Sequence, residues 1–433
     1  MQIDCFPDAV ANWEKKPIAA LAVANPGYLV ENGREYPFVE MSSVGENFAG
    51  IRKFDWRRLE ASGLSRFRTG DTLFAKITPC PENGKIAFVE NLPGEMGLGS
   101  TEFIVLSPRC GTDPRFLFHL LCCDAVRGRA AARMEGSTGR QRVPEEVFTR
   151  RLLVPCPPAI EQAAIARILD AADEAIVRSQ VAVDRAEQLR QSLLSEVFER
   201  ARGAVRRDVI TASAGGRFSA GGMPSAWRLS TVGDEFNLQT GFTLNAGRRT
   251  WHRKHRYLRV ANVQRDRLDL SDIQELEAAD AELEPRKLCA DDLLVVEGHA
   301  DRMQIGRCAR VTAHAAGMTF QNHLFRLRTR GDVLPAFGCL WLNSDYAQQF
   351  WNARCATSSG LNTINQRLLK RLVVPVPQGS EQEAIATLVA KQRRHLEALK
   401  VKRRQLDLLK AALLYDLLTG RVRVPVPPEA TAP

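Results

Sequence analysis

Two short segments near the N-terminus bring together residue types that enzymes use. Asn25-Pro26-Gly27-Tyr28 resembles the Asn-Pro-Pro-Tyr motif of adenine methyltransferases. That chemistry also needs a Rossmann-type domain with a glycine-rich cofactor loop, and no β-α-β pattern with such a loop occurs, so we interpret the segment as a turn. Pro7-Asp8 followed by Glu14-Lys15-Lys16 loosely matches a metal-dependent nuclease signature. The separation is too short for two sheet strands to bring the carboxylates together, and we interpret the match as chance.

Other residues with catalytic or metal-binding potential lack the required spacing. The segment 94–101 is glycine-rich but has no Gly-Lys-Ser/Thr ending, so it is not a phosphate loop. His299, His314 and His323 have no partner spacing for zinc, and Gly298-His299 is compatible with either a DNA contact or a turn. The ten cysteines form no Cys-x-x-Cys pair, which predicts free thiols in a reducing cytosol. We therefore expect no catalytic residue and no metal site.

Basic residues cluster in the segments between apolar runs, at matching places in both halves of the chain. Lys and Arg neutralise phosphates, which supplies affinity for DNA, whereas Arg, Lys, Asn and Gln that reach base edges supply specificity. A solvated surface charge is the alternative for each residue taken singly. The candidate DNA-binding residues are Arg52, Lys53, Lys76, Lys85, Arg140, Arg142, Arg248, Arg249, Arg253, Lys254, Arg302 and Arg307.

The composition agrees with a polyanionic partner. The chain has 433 residues and a net charge of +10, from 60 basic and 50 acidic residues. Its length suits two or three domains, and its 45% hydrophobic content is enough for each half to bury a core. Neither a long apolar run nor a signal peptide is present, so we expect no membrane span and a cytoplasmic protein.

The basic segments are carried by a repeated order of short elements. Residues 1–158 alternate apolar runs with turn signals, with strands expected at 36–41, 71–77, 85–89 and 103–106 and a helix at 114–124. Residues 223–378 repeat this order, with 291–296, 304–309, 323–327 and 337–343 as the matching segments. This pattern predicts two mixed α+β domains whose scaffold is shared and whose loops differ.

Each half ends in a proline-flanked strand and a long helical pattern. Arg150–Pro157 followed by Glu161-Gln162 matches Lys370–Pro377 followed by Glu381-Gln382. Apolar residues then recur at steps of three and four over 159–203 and 379–420, lengths that favour a coiled coil. The first segment has a net charge of −2 and the second, taken to Arg423, of +5, which favours antiparallel pairing with each other over each helix covering its own domain. The candidate helix-pairing residues are Ile165, Leu169, Ile176, Leu193, Ile385, Leu396, Leu399 and Leu413.

These patterns divide the chain into six parts. They are a first domain (1–158), a first long helix (159–203), a flexible glycine- and serine-containing linker (204–222), a second domain (223–378), a second long helix (379–420) and a C-terminal tail (421–433).

The whole chain resembles the specificity subunit of type I restriction–modification systems. The resemblance rests in the first half on Asp71–Lys85 and on Gly136–Pro144, and in the second on Asp292–Gly298, Ile305-Gly306-Arg307 and Gln321–Arg326. The paired Pro-x-Pro…Glu-Gln helices and Leu417–Arg421 complete it. One departure is that the first half lacks a clear copy of Met223-Pro224-Ser225-Ala226-Trp227, of which Trp13-Glu14 is a candidate remnant.

The resemblance implies a fold, a function and partners. It implies an α+β protein with two globular target-recognition domains, separated by two long helices that pair as an antiparallel coiled coil. Each domain would read one half of a split sequence in double-stranded DNA, and the chain would be non-catalytic. The helices would dock modification subunits that use S-adenosylmethionine, and a restriction subunit that uses ATP and Mg would join them.

Two alternatives stay open at this stage. One is the DNA-reading part of a stand-alone methyltransferase or nuclease, and the other is a coiled-coil scaffold that does not bind DNA. The helix length agrees with the resemblance, since about forty helical residues span on the order of 60 Å and a turn of DNA is ~34 Å. Two reading surfaces at the ends of such a helix would fall one to two turns apart.

Overall fold

The computed structural model describes residues 2–10, 12–60, 63–137, 139–212, 227–243, 253–358 and 360–425. Its contacts divide the chain into two compact units, Met1–Ala182 with Lys400–Pro433 and Val183–Leu399. Both boundaries fall inside the long helices, so each unit consists of one mixed α+β domain and one segment of each helix.

The first unit holds strands β1 to β11 and two short helices before the first long helix. Three sheets form, in the orders β1-β11-β2, β3-β10-β7-β8 and β5-β4-β9-β6. The short helices α1 (Pro114–Cys122) and α2 (Asp124–Ala131) follow β10, and α1 contributes Phe116 and Leu120 to the core beside β7 and β10. The strands are Ile3–Asp4, Glu14–Pro17, Ala22–Ala24, Glu35–Val39, Asp55–Arg58, Ser65–Phe67, Thr72–Ala75, Ile86–Phe88, Gly97–Gly99, Phe103–Pro108 and Leu152–Cys156.

The second unit holds strands β12 to β25. Its central sheet has the order β13-β22-β18-β20, and smaller sheets have the orders β12-β25, β17-β14-β21, β15-β16 and β19-β24-β23. Helices α4 to α8 are Val232–Glu235, Asp280–Leu283, Pro335–Leu342, Asp345–Arg354 and Gln366–Lys370. The strands are Arg228–Thr231, Phe236–Thr240, Lys254–Leu258, Val263–Gln264, Arg267–Leu268, Gln274–Glu277, Leu293–Val296, Gly298–His299, Cys308–Arg310, Thr319–Phe320, Leu324–Thr329, Ala356–Ser358, Leu361–Thr363 and Val373–Val376.

The repeat predicted from the sequence is present in the strand pairing. The central sheets β3-β10-β7-β8 and β13-β22-β18-β20 have the same order, and every neighbouring pair in them is antiparallel. The parallel pair β4 and β9 corresponds to the parallel pair β14 and β21. The central strands β7 and β18 are buried along their whole length, since both are continuous apolar runs at the middle of a sheet.

The candidate remnant Trp13 occupies the same place in the first unit as Trp227 in the second. Trp13 precedes β2, which pairs antiparallel with β11. Trp227 precedes β12, which pairs antiparallel with β25. The register is the same in both units, since Glu14 pairs with Cys156 and Arg228 with Val376. Trp13-Glu14 is therefore the counterpart of the second unit's Trp227-Arg228.

The two long helices are α3 (Ala159–Ala212) and α9 (Gly379–Thr419). Helix α3 continues past Gly203, where the sequence suggested its end, because one glycine costs a helix only about 1 kcal/mol relative to alanine. Helix α9 ends next to Gly420, which has a left-handed φ of 70°. Most of the sequence-predicted linker, residues 213–222, lies outside the described residues.

Segments of the two helices run antiparallel in each unit. In the first unit, Arg423 beyond the end of α9 pairs with Glu161 near the start of α3 at 2.8 Å. Farther along, Lys410 pairs with Asp173. In the second unit, Val183 and Ala186 of α3 form a cluster with Leu396. The ion pairs of the first unit join the acidic helix to the basic one, as their opposite net charges predicted.

Within the described residues, no helix is long and apolar enough to cross a membrane.

Candidate nucleic-acid interface

A hairpin lies beside the end of the central strand in the first domain. The segments 135–137 and 139–142 fold back on each other, with a bridge between Glu135 and Arg142. Arg142 also bridges to Ile77, just beyond β7, and the Thr78 N–H donates to the Gln141 carbonyl at 3.0 Å. The hairpin and the loop at 77–85 therefore lie side by side on the same surface of the domain.

The second domain builds the same arrangement as a three-stranded sheet. Strand β19 (Gly298–His299) continues from β18 and pairs with β24, which in turn pairs with β23. The pairing of Gly298 with Thr363 corresponds to that of Ile77 with Arg142. The hairpin of β23 and β24 is thus the counterpart of the hairpin that the Glu135–Arg142 bridge closes.

In each domain, a side chain of a short helix (α2 or α7) donates to backbone carbonyls of the loop that follows the central strand. In the first domain, Arg127 of α2 donates to the carbonyls of Pro81 and Glu82 at 3.0 and 2.8 Å. One guanidinium thus donates to two consecutive carbonyls at the tip of the loop. At the base of the same loop, Gly84 has a left-handed φ of 67°, a conformation that other residues rarely adopt.

The second domain uses different side chains at the same place. Gln348 of α7 donates to the Arg302 carbonyl at 3.3 Å, and Arg265 donates to the Met303 carbonyl at 2.6 Å. Burial lowers the pKa of the Arg265 guanidinium. Because its tip is tied at consecutive carbonyls, this loop presents the exposed side chains of Arg302 and Met303 on a fixed backbone.

The predicted cations of the first domain fall into two classes. Arg52 and Arg140 are exposed, and Lys53 is exposed with its ammonium 2.9 Å from Asp55. The hydrogen bond to Asp55, and then the charge of that carboxylate, raise the pKa of Lys53. Arg142 is engaged more firmly, because its Nε and Nη2 atoms lie 2.8 and 2.7 Å from the two carboxylate oxygens of Glu102. The hydrogen bonds from Arg142 lower the pKa of Glu102.

Lys76 lies near the same carboxylate. Its N–H donates to the Glu102 carbonyl at 2.9 Å, and its charge contributes to lowering the pKa of Glu102. Lys76, Glu102 and Arg142 therefore form one cluster at the end of the central strand.

The second domain places its predicted cations in two regions. Lys254 begins β14 and Arg253 directly precedes it. Both are exposed, Arg253 in an ion pair with Asp280 and Lys254 at 3.9 Å from Glu275. Arg302 lies on the loop tip, 3.5 Å from the Thr357 hydroxyl. Arg248 and Arg249 lie outside the described residues.

Lys85 and Arg307 have scaffold contacts that the sequence did not reveal. Arg307 is only 6% exposed, donates to the Val260 carbonyl at 3.0 Å, and burial lowers its pKa. Lys85 occupies the corresponding position and donates to the Met41 carbonyl at 3.3 Å. Both acceptors begin a 3₁₀ turn. One donor of each side chain thus binds the backbone, and the role of Lys85 and Arg307 in DNA binding stays a prediction.

The candidate helix-pairing residues are divided between the two units. In the first, Ile165 and Leu169 are buried in the main core, and Leu413 packs against that core. In the second, Leu193 and Ile385 pack against the domain core, while Leu396 and Leu399 belong to the cluster around Val183. Ile176 is half-buried on α3.

The enzyme-like segments serve the fold. Asn25 has a left-handed φ of 45°, and its side-chain oxygen accepts from the Val105 N–H at 3.0 Å. The Tyr28 hydroxyl contacts Ser107 and Asp71. All ten cysteines are free thiols, as predicted. Within the described ranges, no group of three or more His, Cys, Asp or Glu side chains is placed to hold a metal ion.

Sequence reasoning missed Glu102, Arg127, Arg265 and Gln348, which orient the candidate contacts. The two copies differ at these positions, so comparing one copy with the other gives little signal for them.

Comparison with known proteins identifies relatives of the chain. No protein-family model matches it. The EcoEI specificity subunit of a type I restriction enzyme from Escherichia coli is 30% identical over 197 residues, which is 43% of this chain and 33% of that protein. The EcoAI specificity subunit from the same species is 29% identical over 196 residues, again 43% and 33%. Over these residues the chain is similar to type I restriction specificity subunits. Each match spans about a third of the length of these two relatives.

Solved structures share the fold along nearly the whole chain. One, from a study of complex assembly and conformational transition of the type I R-M system, has a TM-score of 0.60 and 18% identity, covering 96% of this chain and 99% of that one. The S subunit of a type I restriction-modification system from M. genitalium has a TM-score of 0.53 and 17% identity, covering 95% and 97%. The HsdS subunit from Thermoanaerobacter tengcongensis has a TM-score of 0.51 and 19% identity, covering 96% and 98%. At these identities the likeness shows the α+β fold with its two domains and paired long helices.

Proposed function

We propose that this chain is the DNA-recognition subunit of a type I restriction–modification enzyme and reads a bipartite target with its two domains. The observation that carries the proposal is the duplicated domain whose loops differ. The same central sheet appears in both units. At the end of its central strand lie a hairpin and a loop whose carbonyls accept hydrogen bonds from side chains. A shared scaffold with unlike loops suits the reading of two unlike sequences.

The charges support DNA as the ligand. Arg140 belongs to the hairpin of the first domain and Arg302 to the loop of the second, and both are exposed cations, as is Arg52. Phosphate contacts of this kind supply affinity and register, while side chains that enter the groove distinguish the bases. The net charge of +10 acts in the same direction.

The chain itself would be non-catalytic and cytoplasmic. In this proposal, modification subunits bring S-adenosylmethionine and carry out methyl transfer, and a restriction subunit brings ATP and Mg. The long paired helices would dock the modification subunits. The similarity to named specificity subunits supports this division of labour.

Methylome sequencing tests the proposal in the host. Deleting the gene for this chain should remove methylation at one bipartite motif and leave other methylated motifs in place. A methylome that does not change would contradict the function.

A second assay separates the proposal from a stand-alone enzyme. The purified chain should transfer no methyl group alone and should direct methylation of the bipartite motif when the modification subunit is added. Methyl transfer by the chain alone would favour the stand-alone enzyme. A scaffold without DNA binding would show no salt-dependent affinity for DNA.

A further inference from the structure

Two buried positions with a structural role carry the same residue in both domains. Asp71 and Asp292 are buried just before the central strands, and each accepts from the backbone three residues earlier, at 2.9 and 2.8 Å. Gln162 and Gln382 are likewise buried and bond the same two places in each domain. At these two positions, the duplication has kept the side chain that the scaffold uses.

The end of the central strand is a second place where the two domains can be compared position by position. In the first domain, the Lys76 N–H donates to the Glu102 carbonyl at 2.9 Å, and the Val143 N–H donates to the Lys76 carbonyl at 2.9 Å. These two backbone bonds bring Lys76 and Glu102 beside the hairpin residue Arg142.

The second domain makes the same two bonds with other residues. The Glu297 N–H donates to the His323 carbonyl at 2.9 Å, and the Ile364 N–H donates to the Glu297 carbonyl at 2.9 Å. Glu297 therefore corresponds to Lys76, His323 to Glu102, and Thr363 to Arg142. The frame is built from backbone hydrogen bonds, so it does not depend on which side chains stand there.

The side chains on this common frame differ in charge and in hydrogen-bonding pattern. Arg142 and Glu102 form a bidentate pair, with side chains 45% and 23% exposed. His323 and Glu297 form a looser pair, in which Nδ1 lies 3.5 Å from Oε2 and the side chains are 44% and 27% exposed. Each pair is accessible from solvent, next to the loop and hairpin that carry the exposed cations.

We propose that these two pairs, Glu102–Arg142 and Glu297–His323, determine which bases each domain selects. This inference rests on the proposed DNA-recognition function. An arginine fork suits the O6 and N7 acceptors of guanine, and a carboxylate accepts from the N4 amino group of cytosine. The carboxylate beside each donor also repels phosphate, so the pair disfavours contacts that carry no sequence information. The different pairs would give the two domains different base preferences.

The experiment selects duplexes bound by the full chain from a randomised DNA pool. The wild-type chain should enrich a bipartite sequence. Glu102→Gln should change the preferred bases in one half-site only, and Glu297→Gln in the other half-site only. We expect a loss of about tenfold in discrimination at the affected base pair, the scale of one good bidentate contact.

Matched controls exclude a general effect of removing an ion pair. Arg310→Gln removes the exposed pair between Arg310 and Asp291, 3.0 Å apart in the second domain, and Lys16→Gln removes the pair with Glu14, 2.8 Å apart in the first. Both should leave the enriched sequence unchanged. Should Glu102→Gln fail to fold, Arg142→Lys keeps the charge, loses the bidentate fork and gives the same test.

The outcomes distinguish the inference from the function beneath it. Folded Glu102→Gln and Glu297→Gln variants that enrich the wild-type sequence would overturn the inference and leave the DNA-recognition function standing. A wild-type chain that enriches no bipartite sequence would overturn the proposed function and the inference with it.

Discussion

The Nε2 atom of His119 lies 2.8 Å from Oδ1 of Asp170, joining helix α1 of the first domain to the long helix α3. The imidazole is fully buried, and its Nδ1 has no hydrogen-bond partner. Because an ionised carboxylate only accepts, Nε2 is the donor of this hydrogen bond, and Nδ1 lies 4.0 Å from Oδ2 of Asp173. Burial lowers its pKa, against the opposing effect of Asp170 and Asp173. Burial would raise the pKa of Asp170, but hydrogen bonds from His119 and Arg115 outweigh it and lower the pKa to about 2.

We predict that lowering the pH destabilises the first unit through protonation of His119 in the unfolded state. Its pKa is lower in the folded chain than the ordinary 6.5, so below pH 6.5 the unfolded state binds a proton that the folded state does not. This stability is fully present above pH 6.5 and decreases as the pH falls, with a limiting slope of about 1.4 kcal/mol per pH unit for one proton. Hydrogen exchange of helix Pro114–Cys122 between pH 7.5 and 5.5, corrected for the intrinsic rate, measures it.

His119→Leu is the matched variant for this prediction. Leu340 stands at the corresponding place in helix α6 of the second unit, so leucine is compatible with this scaffold. Asp170 keeps its partner Arg115 at 2.5 Å in the variant. The protection of the helix should then vary less with pH over this range. Parallel profiles for the wild type and the variant would contradict the role of His119.

The buried glutamines explain the Glu-Gln repeat and give a second prediction. The Gln162 side chain accepts from the Asp113 N–H at 3.0 Å and donates to the Pro157 carbonyl at 2.8 Å. Gln382 makes the equivalent bonds with Leu334 and Pro377 and adds one to the Asp332 carbonyl at 3.0 Å.

Gln162→Leu and Gln382→Leu should each lower the free energy of unfolding of their own unit. A buried backbone group left without a partner costs about 1–3 kcal/mol, and we expect the larger loss for Gln382, which makes one bond more. Denaturant unfolding of the full chain measures both. Gln188→Leu, at an exposed position of α3, should change stability little. Equal effects of all three substitutions would contradict the capping role.

More of the fold than of the candidate site could be predicted from the sequence. The repeated apolar runs determine the central strands, and the three-and-four spacing determines the long helices, because both patterns reflect burial on a regular element. The end of α3 could not be placed, since a single glycine does not stop a helix that is stabilised by packing. The sequence did not show that Lys85 and Arg307 donate to the carbonyls of Met41 and Val260, because no sequence pattern reveals which backbone groups a side chain reaches. Side chains that meet through loops, such as Arg142 and Glu102, depend on tertiary structure.

This division between exposed and engaged cations leads to a third prediction. Arg52 is exposed in the first domain, whereas Arg307 is buried in the second. Arg52→Ala should weaken DNA binding similarly for all sequences and reduce the slope of log K against log salt concentration by about 0.9, the value for one phosphate contact. Binding titrations at several salt concentrations measure the slope.

Arg307→Met provides the contrast. Replacing this guanidinium removes its bond to the Val260 carbonyl, so it should lower the free energy of unfolding. It should not change the salt slope of the remaining folded protein. A reduced slope for Arg307→Met would show that the side chain reaches a phosphate after all.

Arg127 gives a fourth prediction, because it holds the loop tip without facing solvent as a free cation. Arg127→Ala frees the carbonyls of Pro81 and Glu82 and should increase hydrogen exchange in the loop at 77–85. DNA affinity should fall through the first half-site alone, since a mobile loop loses more entropy on binding. Arg133→Ala is the control, because Arg133 donates to the Arg129 carbonyl of its own helix. Unchanged exchange in the loop of Arg127→Ala would contradict the positioning role.

The length of the paired helices gives the last prediction. Seven residues inserted in α3 after residue 182 and seven in α9 after residue 399 keep the heptad phase of both helices. They add about 10 Å at ~1.5 Å per residue, which corresponds to about 3 base pairs at ~3.4 Å each. If the helices set the spacing, the spacer of the enriched DNA should lengthen by that amount while both half-site sequences stay the same. An equal insertion in the glycine-rich segment at 215–222 should leave the spacer unchanged, because that segment comes after the described end of α3 at Ala212 and before the start of α9 at Gly379. Altered half-site sequences after the helix insertion would mean that the helices contribute to base selection and do not act only as a spacer.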